Sequence, residues 1–210
     1  VTGVERETVT GLVFDGSVFA DVNWERVENA EFQGCTFVGS NLNEAVVKAS
    51  RFVECRFERC DLSLWKPTDS VVGGCHFEDC RMLGIDWTIA SWPRVALYEA
   101  NTFLRCDLSH STFADLDLGP TRFSECRLRE SSFRFARMAG ADLKESDCLG
   151  TDFHGADLSG AALVGVAGLT VDPLSSKLQG ATVDADGAIA ILESLGINLE
   201  AVQPDPPSEP

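Results

Sequence analysis

Residues 101 to 165 divide without a gap into fives: NTFLR CDLSH STFAD LDLGP TRFSE CRLRE SSFRF ARMAG ADLKE SDCLG TDFHG ADLSG AALVG. Every middle position is Phe, Leu or Met apart from Cys148, and a small residue stands two places before it, with Asn101 and Leu116 as looser cases. A period of five matches neither the helical turn nor the two-residue alternation of a flat strand, so the unit is an internal repeat. If the middle and small residues point inward and the other three face water, each five supplies one short extended side and a corner. Four sides then close a square coil of about 20 residues, and coils stack about 4.8 Å apart with backbone groups bonded up and down the stack. Gly at the last position, as at Gly150 and Gly155, suits a corner with positive φ.

The same pattern runs earlier in the chain. Residues 1–11 read as a lead-in, and fives begin at Leu12 with Phe14, Phe19 and Trp24 in the middle. The frame breaks at 27–29, either as a bulge at a corner or as a shortened side centred on Val27. Fives resume from Ala30 through Leu64. At 64–69 Trp65 takes a small position and Pro67 a middle one, which predicts a kinked or outward loop carrying Trp65 and Lys66. Between 92 and 101 the frame shifts again, and Trp92, Arg94 and Tyr98 are expected to project outward. Thirty fives make about seven and a half coils, roughly 36 Å of rod.

After Gly165 comes a connector with possible short strands. DADGAIAILESLGINLE then reads as a helix capped by Asp184 or Asp186 and stopped by Gly196, with Ala188, Ile191, Leu192 and Leu195 as its apolar stripe. Ile197 and Leu199 follow as an extended apolar pair. The predicted organisation is a repeat domain over 12–165, a C-terminal segment over 166–201, and a disordered Pro-rich tail over 202–210.

Composition sharpens this picture. Twelve of the 13 Phe fall at middle positions, so they belong to the core; Phe135 is the exception and is expected outside. Seven of the 8 Cys occupy inward small positions and Cys148 a middle one. They read as small buried hydrophobes stacked at 20-residue spacing: Cys35, Cys55 and Cys75; Cys60 and Cys80; Cys106 and Cys126. Parallel stacking is poor disulfide geometry, which favours free thiols and a reducing, cytoplasmic compartment. No metal or cofactor is expected. The three His lie on different units with no nucleophile beside them, which argues against an enzyme. A net charge of −16 argues against direct binding of nucleic acid and suits a partner with a basic surface. No apolar run is long enough to span a membrane, and no secretory leader is visible.

ADLKE, TDFHG and ADLSG resemble the A(D/N)LxG unit of the pentapeptide-repeat family. The resemblance implies a right-handed quadrilateral β-helix. AIAILESLGI at 188–197, preceded by GLTVDP at 168–173, is similar to the C-terminal segment of the topoisomerase-protecting members: the Qnr quinolone-resistance proteins, their mycobacterial relative, and the albicidin and microcin B17 immunity proteins. What this implies is a homodimer joined through Ile191, Leu192, Leu195, Ile197 and Leu199, an acidic rod of B-DNA-like proportions, and DNA gyrase or topoisomerase IV as partner. The acidic positions expected to face that partner are Asp107, Asp117, Asp142, Asp147, Asp152 and Asp157. The last four fall one on each side of a single coil, where Asp also serves to cap the corner backbone. Qnr-type members carry two longer loops, and this chain offers only the broken units near Trp65 and Trp92. The alternative is an interaction scaffold with no topoisomerase partner.

Overall fold

A computed structural model describes residues 6–92 and 99–200. Short parallel strands stack into a four-sided β-solenoid of about nine turns. Each side presents one column of inward residues. The first side runs Val9, Val27, Val47, Pro67, Trp87, Phe113, Phe133 and Phe153, and the third runs from Phe19 through Phe37, Phe57, Phe77, Phe103 and Phe123 to Val183. The second side carries Phe14, Phe32, Phe52 and Val72, and the fourth carries Leu42, Leu62, Met82, Leu108 and Leu128.

The middle residues fill the tube. Phe32, Phe52, Phe103, Phe123 and Phe133 are wholly or almost wholly buried, and rings stack coil on coil, 4.6 Å between Phe37 and Phe57 and 5.0 Å between Phe103 and Phe123. Burial of each such ring contributes about 1.5–3 kcal/mol. Offset stacking adds to that. All eight thiols are free and buried. Cys60, Cys80, Cys106 and Cys126 form one continuous ladder, since the coil between Cys80 and Cys106 is six residues longer but returns to register, with Phe77 opposite Phe103. Hydrogen bonding from Cys106 pushes the Cys80 thiol up to about 12, and burial does the same to Cys148. These thiols stay protonated and act as packing groups.

Several expectations are corrected. The lead-in is not outside the solenoid: Glu7–Thr10 pairs with Trp24–Glu28, and Val9 is inward. The break at 27–29 is the shortened side, because Val27 is buried between Val9 and Val47, and Phe14 lies opposite Phe32 after 18 residues. No loop forms at 64–69. Lys66–Thr68 is a strand paired with Val46–Lys48, and Trp65 is buried. The indole packs edge-on to Phe52 and Trp87, with ring centroids 5.5 and 6.0 Å away, and the amides of Lys66 and Asp69 keep the ladder bonds on either side of the proline, at 3.0 and 2.9 Å. Trp92 turns in as well, donating from Nε1 to the Trp87 carbonyl at 3.1 Å with its ring edge-on to Trp87. Arg94 and Tyr98 lie outside the described residues, as does the tail from 201.

The repeat also does not end at 165. Asp157 bridges to Lys177, and Ala162–Leu163 pairs with Thr182–Val183, so one further coil closes before the helix. Helix α1 (Ala185–Ser194) is capped by Asp184, which accepts from the Gly187 amide at 2.9 Å and from the Gly165 amide at 2.6 Å. One carboxylate therefore both starts the helix and pins it to the corner of the coil beneath. Gly187 permits close approach, since a Cβ there would lie 3.2 Å from Val183 Cβ. Gly196, at φ +74°, ends the helix by donating to the Glu193 carbonyl. Residues 197–200 form no strand.

Candidate partner-binding surface

The four aspartates expected to ring the rod do occupy one coil, and the geometry gives each two tasks. One carboxylate oxygen accepts the amide two residues on: Lys144 for Asp142, Leu149 for Asp147, His154 for Asp152 and Ser159 for Asp157, at 2.9–3.2 Å. This is the corner cap. The other oxygen faces a cation from an adjacent coil: Arg129 at 2.6 Å from Asp147, Arg134 at 2.8 Å from Asp152, Lys177 at 2.9 Å from Asp157 and, more loosely, Arg122 at 4.0 Å from Asp142. Asp107 and Asp117 likewise meet Arg127 and Arg137, at 3.0 and 3.3 Å. The Ser159 and Lys177 contacts pull the Asp157 carboxyl down to about 2. All six positions thus face a cation on a neighbouring coil.

Free negative charge lies instead on the corners. Asp115, Glu125 and Glu145 occupy left-handed corner positions and make no ion pair among the described residues. Glu130, also at a corner, faces only His110. The repeat frame marks both sets of positions as outward, but nothing in a single unit says which of them meets a cation 18 or 20 residues away.

The two loop candidates divide. Trp65 and Trp92 pack inward, while Lys66 stays exposed beside a shallow cleft of about 430 Å³ lined by Leu64, Trp65, Asp86 and Ile89. At the C-terminal end, Ser194 donates to the Val171 carbonyl at 3.0 Å, which turns the Gly187, Ile191 and Ser194 side of α1 to the rod. Ile191 and Leu192 are half-buried, whereas Leu195, Ile197 and Leu199 are exposed. Ile189, absent from the sequence-predicted stripe, is exposed too. Its apolar character between Ala188 and Ala190 was the available signal.

No group of three His, Cys, Asp or Glu able to hold a metal occurs among the described residues, and no helix there is long and apolar enough to cross a membrane.

Coil stacking, left-handed corners and Asp-capped turns define a repeat class, and the comparison with known proteins agrees. The family of pentapeptide repeats matches in eight copies over residues 28–63, 103–144 and 121–160. Those stretches of the chain are pentapeptide repeats. Among solved structures it is similar to QnrB1 (full length), a plasmid-mediated fluoroquinolone resistance protein, at 22% identity and a TM-score of 0.60 over 91% of this chain and 100% of that one. It also matches HetL of Nostoc sp. strain PCC 7120, a pentapeptide repeat protein involved in heterocyst differentiation regulation, at 14% identity and a TM-score of 0.34 over 83% of this chain and 84% of that one. A pentapeptide repeat protein from the Arabidopsis thaliana thylakoid lumen matches at 15% identity and a TM-score of 0.29 over 90% of each chain. At these identities the likeness concerns the fold. No curated protein matches the sequence.

Proposed function

We propose that the protein binds a type II topoisomerase, DNA gyrase or topoisomerase IV, and protects it from an inhibitor, either a quinolone or a natural-product toxin. The observation that carries this reading is a helix with exposed Ile189 and Leu195 closing one end of a strongly acidic rod. Two rods joined through those apolar faces form a twofold dimer. At about 4.8 Å per coil the pair measures roughly 86 Å, about 25 base pairs at 3.4 Å each. An object of that length and sign competes for a basic DNA-binding saddle. QnrB1, a plasmid-mediated fluoroquinolone resistance protein whose fold matches 91% of this chain, supports the part of this reading that concerns inhibitor resistance. The eight free, buried thiols support a reducing cytoplasm as the place of action.

A supercoiling assay with gyrase tests the proposal, run with and without a panel of inhibitors. Restored supercoiling in the presence of at least one poison is the expected result. Neither rescue nor inhibition at micromolar protein leaves the second reading, a scaffold without a topoisomerase partner. The ion pairing of the six side-facing aspartates favours that second reading, because compensated carboxylates mimic phosphates poorly.

A further inference from the structure

The side that carries Phe113, Phe133 and Phe153 repeats one bonding pattern from coil to coil. The Phe113 and Asp115 amides donate up to the Ser132 and Arg134 carbonyls and the Phe133 and Phe135 amides to Asp152 and His154, at 2.7–2.9 Å, while the Ser132 and Asp152 amides donate down to Ser111 and Ser131 at 2.9 Å. One coil higher the pattern stops. The Phe153 and Gly155 amides and the Thr151 carbonyl hold the equivalent places and have no hydrogen-bond partner among the described residues. The cause is the turn sequence DPLSS at 172–176. Asp172 Oδ1 accepts the Leu174 amide at 2.8 Å and Pro173 presets the turn, so the Asp172 carbonyl accepts from the Ser175 and Ser176 amides, at 3.2 and 3.0 Å, and not from Phe153. On both neighbouring sides the ladder goes on, with Cys148 donating to Ala167 and Leu158 to Lys177, each at 2.8 Å. The missing strand coincides with a cleft of about 360 Å³ lined by Thr151, Asp152, Phe153, Thr170, Asp172 and Ser175.

Two donors and one acceptor along one strand edge are the groups with which an extended backbone pairs. An anion satisfies the two amides but not the Thr151 carbonyl, and it meets the exposed Asp172, which makes no ion pair among the described residues. An extended peptide satisfies all three groups, and the Asp172 carboxylate selects a basic one. We propose that this gap takes an extended, lysine- or arginine-bearing segment of the partner as an added strand over Phe153. The proposal rests on the topoisomerase reading above, in which the partner surface is basic. It places main-chain recognition in the last coil, beside the helix that Ser194 ties to Val171.

Hydrogen–deuterium exchange of the full-length protein, alone and bound to gyrase, is the test, with affinity read by interferometry and folding by thermal melting. In the free chain the Phe153 and Gly155 amides are expected to exchange faster than the bonded Phe133 and Phe135 amides, and in the complex to slow at least about tenfold. Thr170→Trp fills the cleft from an exposed position and is expected to lower affinity at least about fivefold with Tm unchanged. Asp172→Asn keeps the cap on Leu174 but removes the charge, and is expected to weaken binding more at low salt than at high salt. Amides of Phe153 and Gly155 that stay unprotected in the gyrase complex overturn the added strand and leave the topoisomerase reading standing, as does undiminished binding by Thr170→Trp. Equal binding by Asp172→Asn overturns the basic character of the segment. Amides already slow in the free chain, or slowed by raising its concentration before gyrase is added, overturn the proposal by showing that the chain itself or a second copy covers the edge. If the indole lowers the Tm, exchange in the parent decides alone. A parent protein that does not bind gyrase overturns the topoisomerase reading itself, and the added strand falls with it.

Discussion

Phe123 shows how much one side chain carries in a tube one residue wide. It stacks on Phe103 at 5.0 Å and meets Phe113 and Phe133 edge-on, with no surface in water. Phe123→Ala is expected to cost about 3–5 kcal/mol, read as a lower urea midpoint, and Phe123→Asp to abolish folding, read as loss of the far-UV β signal. The burial of Phe123 and of the cysteines was legible because a five-residue period assigns inward and outward at every step. Trp65 was not, because whether an indole fits depends on its neighbours in the stack, Phe52 and Trp87, and a repeat frame scores positions one at a time. Phe135 was legible as outward, but its support by Gly155 exists only once coils are stacked.

At the scale of elements, the start of the terminal helix is fastened by one carboxylate. Asp184 accepts from Gly187 within α1 and from Gly165 in the coil beneath, and these amides hold its carboxyl below the usual aspartate range. Asp184→Ala is expected to reduce the helical far-UV signal and to raise amide exchange across 185–195 while leaving exchange in the Phe113 coils unchanged. The outer face of the same helix is the proposed seam. If it joins two rods, Leu192→Asp converts a particle of about twice 22.7 kDa into one of 22.7 kDa in light scattering at micromolar concentration. Equal masses for the two proteins remove the dimer from the proposal. The helix and its cap were readable from Asp184 and Gly196. The coil before it, closed by Thr182–Val183, was not, because Gly168 and Pro173 replace the large middle residues that announce a side.

For the whole molecule, ion pairs between coils tie stability to acid pH. Asp157 is held near 2 by Ser159 and Lys177, and Arg105 keeps Glu78 and Asp79 below their ordinary values. Because these carboxyls are more acidic in the folded rod than in the open chain, their stabilisation is complete above about pH 4–5 and is lost as pH falls towards 2. Thermal melts from pH 7 to 2.5 are expected to show a plateau and then a decline over that window. A Tm unchanged down to pH 2.5 contradicts the assignment. These pairs are exposed and screened by solvent, so the fall is gradual. The coil of 26 residues between Phe77 and Phe103 has a different consequence, since every ladder above it resumes its alignment as though nothing had been inserted. Register on either side of that coil is therefore indifferent to added length there, and foreign peptide spliced between Trp92 and Glu99 is expected to leave the melting temperature of the spindle unchanged.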